Sequence, residues 1–212
     1  AHEMAAFCLI NDASPHEQVG NVLKADGFDI EVTEEMADAV DVYLRAVRGD
    51  YAEFPERPVR LTEHRFHLET LHPQLHGTAD CVQFDAEANT LRIADYKHGA
   101  GLAVDVKDNP QLMYYALGAL LSTDFHPAHV EMVIVQPRCP HPDGPVRRWT
   151  IDAIDLMDFT TELIDYAKAT GKTADEVAKD FAAMARAPRA MAMPGSALCG
   201  ASRPPSPNIL ST

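Results

Sequence analysis

The chain has 212 residues, 46% hydrophobic and 24% charged, proportions that fit one globular domain of ordinary size with a tail. No stretch approaches the roughly 18 apolar residues of a membrane-spanning helix. The opening AHEMAAFCLIND carries acids where a secretory signal carries bases, so no signal peptide is read and a cytoplasmic location is expected. The net charge of −14 argues against the broad basic footprint that gives most nucleic-acid binders their affinity.

Ala1–Leu9 reads as a helix with no cap residue before it, which suggests a truncated N-terminus. Residues 12–29 read as mixed and turn-rich. Thr33 then precedes a segment in which Met36, Val40, Tyr43, Leu44 and Val47 recur at helical spacing. Glu34, Glu35 and Asp38 near its start and Arg45 and Arg48 near its end suit the helix dipole, and Gly49 ends it. From Val59 to Leu71 the pattern changes to alternation, a strand with an interruption expected near Glu63. Strands at Thr78–Phe84 and Leu91–Lys97 follow, joined by the polar turn DAEANT. A loop with two glycines runs from His98 to Asn109, and Pro110 opens a helix over QLMYYALGALLS. HVEMVIVQPR reads as a buried strand and RRWTID as another. IDLMDFTTELIDYAKATG reads as an amphipathic helix stopped by Gly171, and a last helix is expected over Thr173–Arg186. Beyond Arg186, Pro, Ser, Gly and Ala dominate without apolar period, so residues 187–212 are expected to be a disordered tail behind a domain of residues 1–186. The order of elements implies an α/β fold with a mixed sheet flanked by helices.

Charge and cysteine are unevenly placed. Residues 26–53 hold nine acids against two arginines, whereas Arg57, Arg60, Arg65 and Arg92 fall near the strands. Cys8, Cys81, Cys139 and Cys199 form no CxxC pair and are read as reduced thiols.

The chemistry concentrates in residues 77–115. Asp95 and Lys97 are two apart on a strand, so they share a sheet face. If the DAEANT turn folds the preceding strand back so that Phe84 faces Leu91, then Val82 faces Ile93 and Asp80 faces Asp95. Two opposed aspartates repel unless a cation lies between them. Mg²⁺ takes one or two carboxylates and keeps positions for water and phosphate, so the pattern suits a metal-dependent phosphodiesterase. Lys97 beside it would orient the attacking water or offset charge. Alone, Asp95–Lys97 would be a strand-edge ion pair.

The longer pattern of GTAD (Gly77–Asp80), DYK (Asp95–Lys97) and Gln111 with Tyr115 resembles the RecB-type branch of the PD-(D/E)XK nucleases. That resemblance implies a restriction-endonuclease-like core, an antiparallel hairpin plus a parallel strand, and a DNA nuclease, either an exonuclease or a processing enzyme of phage or bacterial type. It implies Mg²⁺ or Mn²⁺ held by Asp80 and Asp95, Lys97 as the catalytic lysine, and Gln111 and Tyr115 contacting nucleic acid. His2 resembles a further metal ligand, and Glu63 is a weaker candidate. Some relatives hold an iron–sulfur cluster through one upstream cysteine and three near the C-terminus. With only Cys199 in the tail, no cluster is expected. The alternatives are a nucleic-acid-binding or scaffolding module of the same fold that does not cut, and a hydrolase of small phosphoesters.

Overall fold

The computed structural model describes residues 1–25, 27–49, 59–68 and 76–161. Its centre is a mixed sheet of β3 (Val59–His67), β4 (His76–Asp85), β5 (Thr90–Tyr96), β6 (His129–Val135) and β7 (Val146–Asp152), in that spatial order. Only the β5–β6 pairing is parallel within it. The expected α/β fold with a mixed sheet is the fold observed. The helix starting in 154–171 is seen over 155–161. Its remainder, the helix at 173–186 and the tail at 187–212 lie outside the described residues, as do Arg57 and the 69–71 end of the expected third strand.

Helices cover both faces. On one, α1 (His2–Asn11) and α2 (Glu34–Arg48) bury Met4, Cys8, Val40, Tyr43 and Leu44 against Cys81, Ala94, Tyr96 and Val133. Thr33 caps α2, its hydroxyl accepting the Met36 N–H at 3.2 Å. On the other face, α3 (Pro110–Ser122) packs Leu112, Ala116 and Ala119 over Val82, Leu91, Ile93, Met132 and Ile134. Asn109 caps α3 by accepting the N–H groups of Gln111 (3.0 Å) and Leu112 (3.2 Å), which fixes where Gln111 emerges.

Helix α3 approaches the sheet closely beside Phe66. The buried Phe66 ring of β3 lies against Gly118 of α3, where an added Cβ would come within 2.3 Å of Phe66 Cδ2. At Gly77 of β4 it would come within 2.6 Å of Phe66 Cζ. Only residues without a side chain fit on either side of that ring.

One sequence expectation needs correction. Residues 12–29 are not merely turn-rich, because β1 (Val22–Ala25) and β2 (Phe28–Glu31) form an antiparallel hairpin outside the main sheet. Two of the arginines near the strands find partners on neighbouring elements. Arg60 donates to the Leu9 carbonyl at the end of α1 (2.9 Å), and Arg92 pairs with Glu131. Arg48 adds a bond to the Cys8 carbonyl (2.6 Å), so two guanidinium groups hold the C-terminal end of α1.

Candidate functional site

The β4–β5 register matches the inferred one from Phe84–Leu91 through Val82–Ile93 to Cys81–Ala94, but the expected pairing of Asp80 with Asp95 is not formed. One step further the ladder gives way. Asp80 Oδ2 accepts the Tyr96 N–H at 2.7 Å, a side chain replacing the strand partner. Opposite Asp80 on its other flank, between the pairs Thr62–Cys81 and His64–Ala79, stands Glu63 with φ +50°. Ala79 packs in the α3 core and Cys81 in the α1–α2 core, although residues two apart on a regular strand share a face. The alternation therefore breaks at Asp80, and the interruption expected near Glu63 is this break. Left-handed backbone at a non-glycine residue costs on the order of 1 kcal/mol and tends to collect at functional sites.

Asp95, Lys97 and Gln111 form a connected chain from β5 to α3. Lys97 Nζ lies 2.8 Å from Asp95 Oδ2 and donates to Asp95 Oδ1 (3.2 Å) and to Gln111 Oε1 (2.9 Å). Gln111 Nε2 donates to the Tyr115 hydroxyl at 2.7 Å. The Lys97 backbone is fixed as well, its N–H donating to the Val135 carbonyl of β6 (2.8 Å). Asp95 is 3% exposed, and its buried Oδ2 has the Lys97 ammonium as its ion-pair partner.

Asp80 completes the group. Burial and the neighbouring Asp95 carboxylate push its carboxyl up to about 8, against the pull of the Tyr96 amide and Lys97. His2 reaches the same place from α1. Its Nε2 donates to the Tyr96 carbonyl (2.7 Å) and sits 3.8 Å from Asp80 Oδ2, with its ring 5.2 Å from that of Tyr96. His2 is thus beside Asp80 as expected, but with Nε2 already engaged. Asp80, Asp95, Lys97, His2, Gln111 and Tyr115 all line one cavity of about 360 Å³.

Sequence reasoning missed further residues lining it, namely Tyr96, His98, Gly99 and Gln136. His98 Nδ1 lies 2.8 Å from the Tyr96 hydroxyl, and burial together with Arg138 lowers its pKa to about 4, so it is neutral at physiological pH. The Gly99–Gly101 pair directly after DYK was the available signal. Gln136 and its partner Arg147 lie too far along the chain for spacing to reveal. Tyr114 is structural, donating to the His76 carbonyl at 3.1 Å.

The site suits a hard cation in its donor chemistry, two carboxylates from neighbouring strands lining one cavity. Among the described residues no group of three or more His, Cys, Asp or Glu side chains is arranged to hold an ion. The family described as "Protein of unknown function (DUF2800)" matches residues 1–189. The chain belongs to that family. Cys8, Cys81 and Cys139 of this DUF2800 chain are free thiols. No helix among the described residues is long and apolar enough to cross a membrane.

Proposed function

We propose that the chain is a Mg²⁺- or Mn²⁺-dependent phosphodiesterase that hydrolyses DNA, an exonuclease or DNA-processing nuclease. The observation that carries this reading is the meeting of Asp80 and Asp95 at one strand end, with Lys97 held between Asp95 and Gln111. The resemblance of the GTAD, DYK and Gln111–Tyr115 motifs to RecB-type PD-(D/E)XK nucleases supports it. A divalent ion on the two aspartates would polarise the phosphoryl oxygen and acidify a bound water. Lys97 supplies a fixed cation beside the reacting phosphate, and its tie to Gln111 keeps it there when Asp95 turns its oxygens elsewhere. Gln111 accordingly acts first as a positioning residue, both ends of its amide being engaged. Tyr115, at the cavity wall, is the residue of that pair that faces the nucleic acid in this reading.

A second reading, a nucleic-acid-binding or scaffolding module that does not cut, draws on His2, whose Nε2 is taken up by the Tyr96 carbonyl. Degradation of single- and double-stranded DNA with Mg²⁺ or Mn²⁺, with Asp95→Ala and Lys97→Ala as controls, separates the two. The enzyme reading expects metal-dependent loss of DNA with wild type and at least about a hundredfold less with either variant. Equal loss with all three proteins marks a contaminant and defeats it. Binding without turnover selects the module.

A further inference from the structure

The segment that follows Lys97 is fastened to the residues after β6 through its carbonyl groups. Arg138 Nη1 donates to the His98 carbonyl (3.2 Å) and Cys139 Sγ to that of Gly101 (3.0 Å). Gln136 Nε2 donates to the Leu102 carbonyl (3.0 Å), with a longer approach to that of Gly99 (3.5 Å). The N–H groups of residues 98–103, by contrast, donate to no partner among the described residues. Val104 is the first amide engaged again, to Gln136 Oε1 at 3.0 Å.

The planar trans peptide turns this asymmetry into a direction. C=O and N–H of one trans unit point opposite ways. Carbonyls of His98, Gly99, Gly101 and Leu102 drawn toward β6 therefore turn the N–H groups of Gly99, Ala100, Leu102 and Ala103 away from it. Residues 99–103 are all exposed, and Gly99 lines the cavity. An added Cβ at Gly99 or Gly101 would meet nothing within 4 Å, so no protein atom covers that part of the strip.

Behind the strip stands a buried cation. Arg147 is 3% exposed and donates to three uncharged acceptors: Val104 O (3.0 Å), Gly144 O (2.9 Å) and Gln136 Oε1 (2.8 Å). Held by Arg147 and the Val104 amide, Gln136 Oε1 leaves the amide nitrogen facing the loop carbonyls. The direct hydrogen-bond partners of Arg147 are all neutral, while the Asp105 and Asp143 carboxylates nearby offset part of its charge, so Arg147 serves mainly to hold Gln136 and the Val104 end of the strip in place.

We propose that residues 99–103 form a backbone-amide strip that binds the phosphodiester oxygens of a nucleic-acid strand leading into the cavity, with Gln136 and Arg147 as its positioning residues. The inference rests on the phosphodiesterase reading and deepens it. Main-chain N–H groups bind phosphate without reading sequence, and glycines let a backbone approach closely. The strip explains how a chain of net charge −14 can hold a polyanion: the donors are neutral amides, supported by one buried arginine.

The test is the affinity of the full chain for a fluorescein-labelled single-stranded DNA 20-mer, read by anisotropy in Ca²⁺. The Gly99→Val/Gly101→Val double variant is expected to bind at least tenfold more weakly, with unchanged Mn²⁺ affinity and melting temperature. The Gly99→Ala/Gly101→Ala variant serves if valine unfolds the chain, with a smaller loss in the same direction. Wild-type binding should weaken with salt by a log–log slope no steeper than about −2, because neutral donors displace few counterions. Wild type that cuts DNA, yet whose affinity survives both pairs of substitutions, overturns the strip and leaves the phosphodiesterase reading standing. Wild type that neither binds nor cuts overturns both.

Discussion

Replacing Asp80 by asparagine should make the metal-free protein more stable while removing its response to metal. The carboxyl of Asp80 titrates at about 8 in the folded chain against an ordinary 3.8, chiefly because it is buried and next to Asp95. Between those values the folded state holds a proton that the unfolded state has released. The stability tied to that proton is fully present below about pH 4 and is lost as pH rises toward 8. The loss is at most about 1.4 kcal/mol per pH unit for one group. Asp80 is 20% exposed and keeps its bond from the Tyr96 amide when ionised, so a total of about 2 kcal/mol by pH 8 is the expected scale. The neutral amide of the Asp80→Asn variant would mimic the protonated acid and accept the same N–H. The substitution should raise the metal-free melting temperature at pH 8 by roughly 4–8 °C and by little at pH 5. Millimolar Mn²⁺ should reverse the order, stabilising wild type by about 2.7 kcal/mol at a hundred times its dissociation constant and the variant far less. Thermal melts from pH 5 to 9, with and without Mn²⁺, check this. A pH-independent difference between the two proteins would refute the reasoning, because the strain would then not be carried by the Asp80 charge.

Two further outcomes follow from the same geometry. Gln111→Ala removes the acceptor that ties Lys97 to α3, and should lower kcat about tenfold in a DNA-cleavage assay while leaving Mn²⁺ affinity by calorimetry unchanged. Gly118→Ala drives a methyl group into the Phe66 ring and should cost about 1–3 kcal/mol in urea unfolding, whereas Gly101→Ala, facing open space, should stay within about 0.5 kcal/mol of wild type.

Periodicity and turn chemistry carried much of the fold into view. The α2 helix was readable because Val40, Tyr43, Leu44 and Val47 fall on one face and Thr33 caps it. The hairpin register was readable because Phe84–Leu91 and Val82–Ile93 are apolar pairs around a polar turn, and slipping by one residue would have put them in opposite cores. The β1–β2 hairpin was not, because its strands are short and leave Val22 and Phe28 exposed, so no alternation marks a buried face. The Asp26–Gly27 pair between its strands was the overlooked cue.

Within the site, Asp95 and Lys97 were legible through their spacing on one strand, Asp80 through the hairpin register, and Gln111 through the resemblance of the longer motif. What spacing cannot convey is the break in alternation at Asp80, which depends on Glu63 from another strand. Nor can it convey the pinning of carbonyls in residues 98–102 by Gln136, Arg138 and Cys139, more than thirty residues away. The partners of Arg60 and Arg92, in α1 and β6, were hidden for the same reason.

The most direct measurement is anomalous diffraction from crystals soaked in Mn²⁺. A single peak bonded to carboxyl oxygens of both Asp80 and Asp95, and lost in Asp95→Asn crystals, is the expected result. Well-ordered density with both carboxylates free of metal at millimolar Mn²⁺ would contradict the account.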